Sequence, residues 1–151
     1  MNGKRILLAE DNVNDVELTL AALEEQNLAN QVDVVRDGVE ALDYLYRRGS
    51  FADRPDKSHP LLVLLDLKMP KLDGLQVLLE MKGDPSLKHV PVVVLTSSRE
   101  EKDLVMSYGL GVNGYVVKPV GFDEFTEAIK RIGLYWLLTN ESPPELEADL
   151  R

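Results

Sequence analysis

Residues 61–65, "LLVLL", are five apolar residues in a row, and they restrict the fold more than any other feature. A strand with no polar alternation has no face to offer water, so both of its faces must be covered. Four other short runs read as strands: "RILLA" (5–9), "VDVVRD" (32–37), "VPVVVLTSS" (90–98) and "GYVVKPV" (114–120), the last broken by Pro119. Helical periodicity fills the gaps between them. Residues 13–26 place Val13, Val16, Leu20 and Leu23 at helical spacing after the candidate cap Asn12, with Asp15 favouring the first turn. Residues 37–48 place Val39, Leu42 and Leu45 on one face with Tyr46 beside it. Residues 74–82 follow the candidate cap Asp73, and residues 99–109 form a short helix. Residues 122–136 carry Phe122, Phe125, Ile129, Ile132 and Trp136 along one stripe. Five strands alternating with five helices predict βαβ units, a parallel sheet and a doubly wound α/β domain.

A chain of 151 residues suits one domain with a sizeable core. Residues 1–138 form that domain, and "TNESPPELEADLR" (139–151) reads as an acidic mobile tail. Residues 49–60, rich in Gly, Pro, Asp and Ser, read as a long loop. The formal charge of −9 argues against a nucleic-acid surface. No run of eighteen apolar residues exists to span a membrane. The absence of cysteine excludes disulfides and thiolate metal sites and, with no secretory signal, points to the cytoplasm.

In open α/β sheets ligands bind beyond the carboxyl ends of the strands. The first strand delivers Glu10 and Asp11 to that edge, the third Asp66, the fourth Thr96 with Ser97 and Ser98, and the fifth Lys118 and Pro119. Carboxylates that converge need a cation, and oxygen donors at this density suit Mg²⁺. A metal, an ammonium and a hydroxyl together match phosphoryl transfer, with Asp66 as a nucleophile that forms an aspartyl phosphate. Singly, each residue has a plainer use: Asp66 as a loop-start acid, Glu10 and Asp11 as helix-terminus acids, Thr96 as a cap, Lys118 as a solvated strand end. Their joint arrival at four strand ends favours the site. His59 and His89 lie in loops and read as surface residues.

The motifs "LLAEDN", "LLDLKMPKLDG", "VVVLTSS" and "YVVKPV", in this order, resemble the receiver domain of two-component response regulators over residues 3–137. The resemblance implies the flavodoxin-like strand order 2-1-3-4-5 and phosphorylation of Asp66 by a sensor histidine kinase. It implies Mg²⁺ held by Asp11, Asp66 and the Lys68 carbonyl, with Glu10 acting through water. Thr96 and Lys118 would hold the phosphoryl group, Lys118–Pro119 would be cis, and Tyr115 would be a switch aromatic paired with Thr96. It implies a phosphoacceptor that catalyses its own phosphorylation and dephosphorylation rather than an enzyme, and leaves open a phosphorelay intermediate. The long loop, the "LKMP" and "LTSS" wording and the short C-terminal extension look most like regulators paired with bacterial phytochromes. A winged-helix or enzymatic output domain has no room after Trp136.

Three other readings compete. A haloacid-dehalogenase-like phosphatase needs an acid two residues after its nucleophile, where this chain has Lys68. A flavodoxin-like cofactor module needs a glycine- or hydroxyl-rich phosphate loop where this chain has Glu10 and Asp11. An unphosphorylated receiver-like module has usually lost one of the acids or the lysine. Without an output domain the chain must signal through its surface. Leu104, Val105, Met106 and Tyr108 on the fourth helix and Leu134, Tyr135, Leu137 and Leu138 near the end of the fifth exceed what one stripe buries. They predict an apolar face for a homodimer, with the same surface or its rim serving the kinase.

Overall fold

The computed structural model describes residues 5–25, 28, 31–55 and 58–131. Its elements run β1 (Ile6–Ala9), α1 (Val13–Glu24), β2 (Val32–Val35), α2 (Gly38–Tyr46), β3 (Leu62–Asp66), α3 (Gly74–Gly83), β4 (Val92–Thr96), α4 (Arg99–Ser107), β5 (Gly114–Val117) and α5 (Phe122–Arg131). The strands form one parallel sheet in the order β2-β1-β3-β4-β5. This is the expected doubly wound, flavodoxin-like receiver fold, with strand-order reversal between β1 and β3.

Every residue of β1, β3 and β4 is buried. Period-two alternation divides them between two cores. Leu7, Ala9, Val63, Leu65, Val92 and Val94 face one layer, with Leu42 and Leu45 of α2, Val77, Leu78 and Met81 of α3 and Val105 of α4. Ile6, Leu8, Leu62, Leu64, Val93 and Leu95 face the other, with Val16 and Leu23 of α1 and Phe125 and Ala128 of α5. The apolar runs are therefore strands covered on both sides. Among the described residues no helix is long and apolar enough to cross a membrane.

Three helix stripes differ from their sequence reading. Val13 opens α1 exposed, and the buried face is Val16, Thr19, Ala22 and Leu23. Val39 is exposed, and α2 buries Ala41, Leu42, Tyr44 and Leu45. Phe122 is exposed and Phe125 buried on α5; Ile132 and Trp136 lie outside the described residues. In each case the first apolar residue sits in the first helical turn, at the sheet's rim and beyond the layer that covers it. The loop after α2 is not free of structure. Residues Gly49–Phe51 make a 3₁₀ turn, Phe51 meets the Tyr44 ring edge-on at 5.2 Å, and the Arg54 guanidinium lies 4.2 Å from the centre of that ring. The Tyr44 hydroxyl donates to Asp33 Oδ2 at 2.5 Å, and Arg5 Nη2 donates to Asp33 Oδ1 at 2.6 Å, so β2 is part of the same polar network.

Gly74 opens α3 against the end of β3. A Cβ there would stand 2.2 Å from the Asp66 carbonyl oxygen and 2.7 Å from the Leu67 Cα, backbone atoms that have nowhere to move. Gly74→Ala should therefore cost about 2 kcal/mol in urea unfolding. Gly83 has nothing within 4 Å of its would-be Cβ. Gly83→Ala should be neutral or stabilising by up to about 1 kcal/mol.

Candidate functional site: an ammonium among three carboxylates

The carboxyl edge of the sheet is built by chain reversals. Glu10 follows β1; its N–H still donates to Val35 O at 3.0 Å, and its side chain is fully buried. The Asn12 N–H donates to Glu10 Oε2 at 3.1 Å. Asn12 then caps α1, accepting from the Asp15 N–H at 3.0 Å. Asp66 is the last residue of β3 and is buried. The loop after it is closed by the Gly74 N–H donating to Leu67 O at 2.9 Å and by the capping box of Asp73 and Gln76. Thr96 ends β4, Ser98 caps α4, and the Lys118 N–H donates to Thr96 O at 2.7 Å. The Lys118–Pro119 bond is cis.

These turns bring Lys118 Nζ within 2.9 Å of Asp15 Oδ2, 3.2 Å of Asp66 Oδ1 and 3.3 Å of Glu10 Oε1. Glu10, Asp66 and Lys118 thus meet as the sequence predicts. The third acid on the ammonium is Asp15, which the sequence assigned only to the first turn of α1. Its position four residues beyond Asp11, one turn into a capped helix that starts at the rim, was the available signal. Asp11 itself is exposed. The Lys68 side chain turns away to Glu101 Oε2 at 3.0 Å, and Glu101 Oε1 accepts from the Ser97 N–H, so the loop after β3 is tied to the start of α4. Thr96 Oγ1 is buried without a hydrogen-bond partner. Tyr115 on β5 is partly buried against the α2–α3 core, with Lys102 Nζ 5.5 Å from its ring centre.

The electrostatics follow from burial. Burial first, then the hydrogen bond and charge of Asp66, push the Glu10 carboxyl up to about 7, against the Asn12 N–H and Lys118. Burial alone would lower the Lys118 pKa, but Asp15, Asp66 and Glu10 together raise it above the usual lysine value. Among the described residues no three carboxylates or histidines are grouped as a ready metal cage. Glu10 and Asp66 are the buried carboxylates at this edge, and the exposed Asp11 follows Glu10 in sequence.

The chain matches the model of the response regulator receiver domain over residues 6–130. It belongs to that family. Receiver domains bind divalent metal, and the phosphatase and cofactor-module alternatives fall away. It is 52% identical to the bacteriophytochrome response regulator RtBRR, with a TM-score of 0.86 over 99% of this chain and 93% of that one. It is 59% identical to the bacteriophytochrome response regulator AtBRR, with a TM-score of 0.85 over 93% of this chain and 100% of that one. It is also 39% identical to response regulator Rcp1 of Synechocystis sp. over 140 residues, 93% of each chain. The receiver is thus homologous to bacteriophytochrome response regulators, as the loop and motif wording suggested.

Removing the Lys118 charge leaves Glu10 and Asp66 buried without their cation. Lys118→Gln should cost about 3 kcal/mol in urea unfolding at pH 8. A carboxyl whose pKa is raised by folding contributes stability that is complete below its ordinary value of 4.5 and is lost as pH rises through about 7. At pH 5 Glu10 holds its proton, so the same substitution should cost less there.

Proposed function

We propose that this receiver accepts a phosphoryl group on Asp66 from a sensor histidine kinase, with Mg²⁺, and signals by a change at the α4–β5–α5 face. The observation that carries the reading is the Lys118 ammonium held 3.2 Å from a buried strand-end carboxylate, with an unpartnered buried hydroxyl, Thr96 Oγ1, on the neighbouring strand. An Asp66 oxygen forms a bond to phosphorus as the P–N bond to the donor imidazole breaks; the imidazole nitrogen keeps the electron pair and takes up a proton. Lys118 donates to the phosphoryl oxygens, and Thr96 gains the partner its hydroxyl lacks.

The donor set fits Mg²⁺, which takes one or two carboxylates and keeps several waters. Two buried acids together, one pushed up to about 7 by its burial and its neighbour, are short of positive charge. Asp11, Asp66 and the Lys68 carbonyl would hold the metal, and Glu10 would act through water. When bound, it neutralises charge on the transferring oxygens. A Mn²⁺-bound form of Rcp1 and a phosphorylated form of the cyanobacterial phytochrome response regulator RcpA support both halves of this reading. The same relatives support a bacterial phytochrome as the kinase, which would place the protein in the cytoplasm.

A small phosphodonor with Mg²⁺ should label the wild type with acid-stable, base-labile phosphate and leave Asp66→Asn unlabelled. Equal labelling of both would contradict the reading. Thr96→Ala should accept phosphate yet lose most of the protection change in amide exchange at α4 and β5, since Tyr115 would no longer follow Thr96.

Leu104, Met106 and Tyr108 are exposed on and just after α4, joined by Val117 and Phe122. They support a homodimer through this face; Leu134, Tyr135 and Leu138, assigned to the same interface from the sequence, lie outside the described residues. Light scattering at micromolar concentration should give a dimer mass that rises in population with a phosphoryl mimic, and a monomer under both conditions would contradict the dimer.

A further inference from the structure

Asp15 is the acid at this rim for which phosphoryl transfer has no ready use, and it makes the shortest of the three Lys118 pairs. Its Oδ2 is 2.9 Å from Nζ, against 3.2 Å for Asp66 and 3.3 Å for Glu10. The placement is built into the chain. The Asn12 cap holds the Asp15 backbone N–H, which fixes the first turn of α1 and leaves the carboxylate free to reach across to the end of β5. The three acids are not equivalent in their surroundings. The Glu10 side chain is 0% exposed and that of Asp66 4%, whereas Asp15 keeps 25% of its side chain in solvent.

An ammonium has three hydrogens to donate; this one donates to Asp15 Oδ2 and Glu10 Oε1 and forms an ion pair with Asp66 Oδ1. A phosphoryl group arriving on Asp66 draws the ammonium toward itself, against the hydrogen bonds that Glu10 and Asp15 already hold. The Glu10 side chain is fully buried, so it gives up a positive partner at more cost than an acid that reaches solvent. Asp66 carries the phosphoryl group. Asp15 can rotate into solvent and be hydrated there, which costs little. The exchange of partners that frees Lys118 therefore runs through Asp15.

We propose that Asp15 is a positioning residue that holds Lys118 in the resting state and competes with the arriving phosphoryl group for its ammonium. The inference rests on the reading of Asp66 as the phosphoacceptor. It makes Asp15 a brake, set by a residue outside the acceptor, metal and switch positions.

The test is the affinity for beryllofluoride, a tetrahedral phosphoryl mimic, at saturating Mg²⁺. Asp15→Asn keeps the backbone cap and removes the competing charge; it should bind beryllofluoride about threefold to fivefold more tightly than the wild type. A residue that merely supported the site would loosen binding when replaced. Asp15→Glu keeps the carboxylate and should keep the wild-type affinity. Glu17→Gln removes an exposed acid on the same helix and should change nothing. Equal affinity in Asp15→Asn and wild type, or weaker binding in Asp15→Asn, overturns the proposal. The same tightening in Glu17→Gln also overturns it, because the effect would then belong to net charge and not to Lys118. Failure of the wild type to bind beryllofluoride, or binding that survives in Asp66→Asn, overturns the acceptor reading itself, and the brake falls with it.

Discussion

The ammonium of Lys118, held at the edge of the sheet by Asp15, Glu10 and Asp66, is the interaction on which the rest of the site depends. Two of those carboxylates are buried almost completely, in a setting where like charges cannot both stay ionised without a cation. The lysine supplies part of that charge. Burial, and then the hydrogen bond and charge of Asp66, raise the Glu10 pKa against that cation.

The fold explains why those acids are buried. Parallel strands covered on both faces bring β1, β3 and β4 side by side with no solvated edge between them. A carboxylate at the end of a central strand is therefore walled by its neighbours on both sides. Asp66 is fixed at the end of the buried strand and lies at the rim next to β1. Gly74 keeps the following helix close enough to hold the Asp66 backbone in place. The tie from Lys68 to Glu101 joins the loop after Asp66 to α4, the helix that carries the exposed Leu104 and Met106.

The strands and the placing of Glu10, Asp66, Thr96 and Lys118 at their ends were legible in the sequence because each residue follows a short, continuous apolar run. Helix faces were less legible. Val13, Val39 and Phe122 have the right spacing for a core stripe, yet each lies in a first turn that overhangs the sheet, and spacing carries no information on where the covered layer stops. Asp15 was hidden for a related reason. An acid in the first turn of a helix already has an explanation in the helix dipole, and only the tertiary path of β5 reveals that its carboxylate meets a lysine 103 residues away. The polar network of Arg5, Asp33, Tyr44 and Arg54 was equally silent, because an aspartate within an apolar strand and a tyrosine within an apolar helix face read as ordinary alternation.

A divalent cation that completes the Glu10–Asp66–Lys118 cluster must lower the Glu10 pKa. Titration of the Glu10 side-chain carboxyl by ¹³C NMR, with and without Mg²⁺, tests it most directly. The account predicts a pKa of about 7 in the metal-free protein. It predicts a fall into the ordinary carboxyl range, near 4.5, when the metal binds. A Glu10 titration that Mg²⁺ leaves unmoved, in a protein that retains its fold, would contradict it.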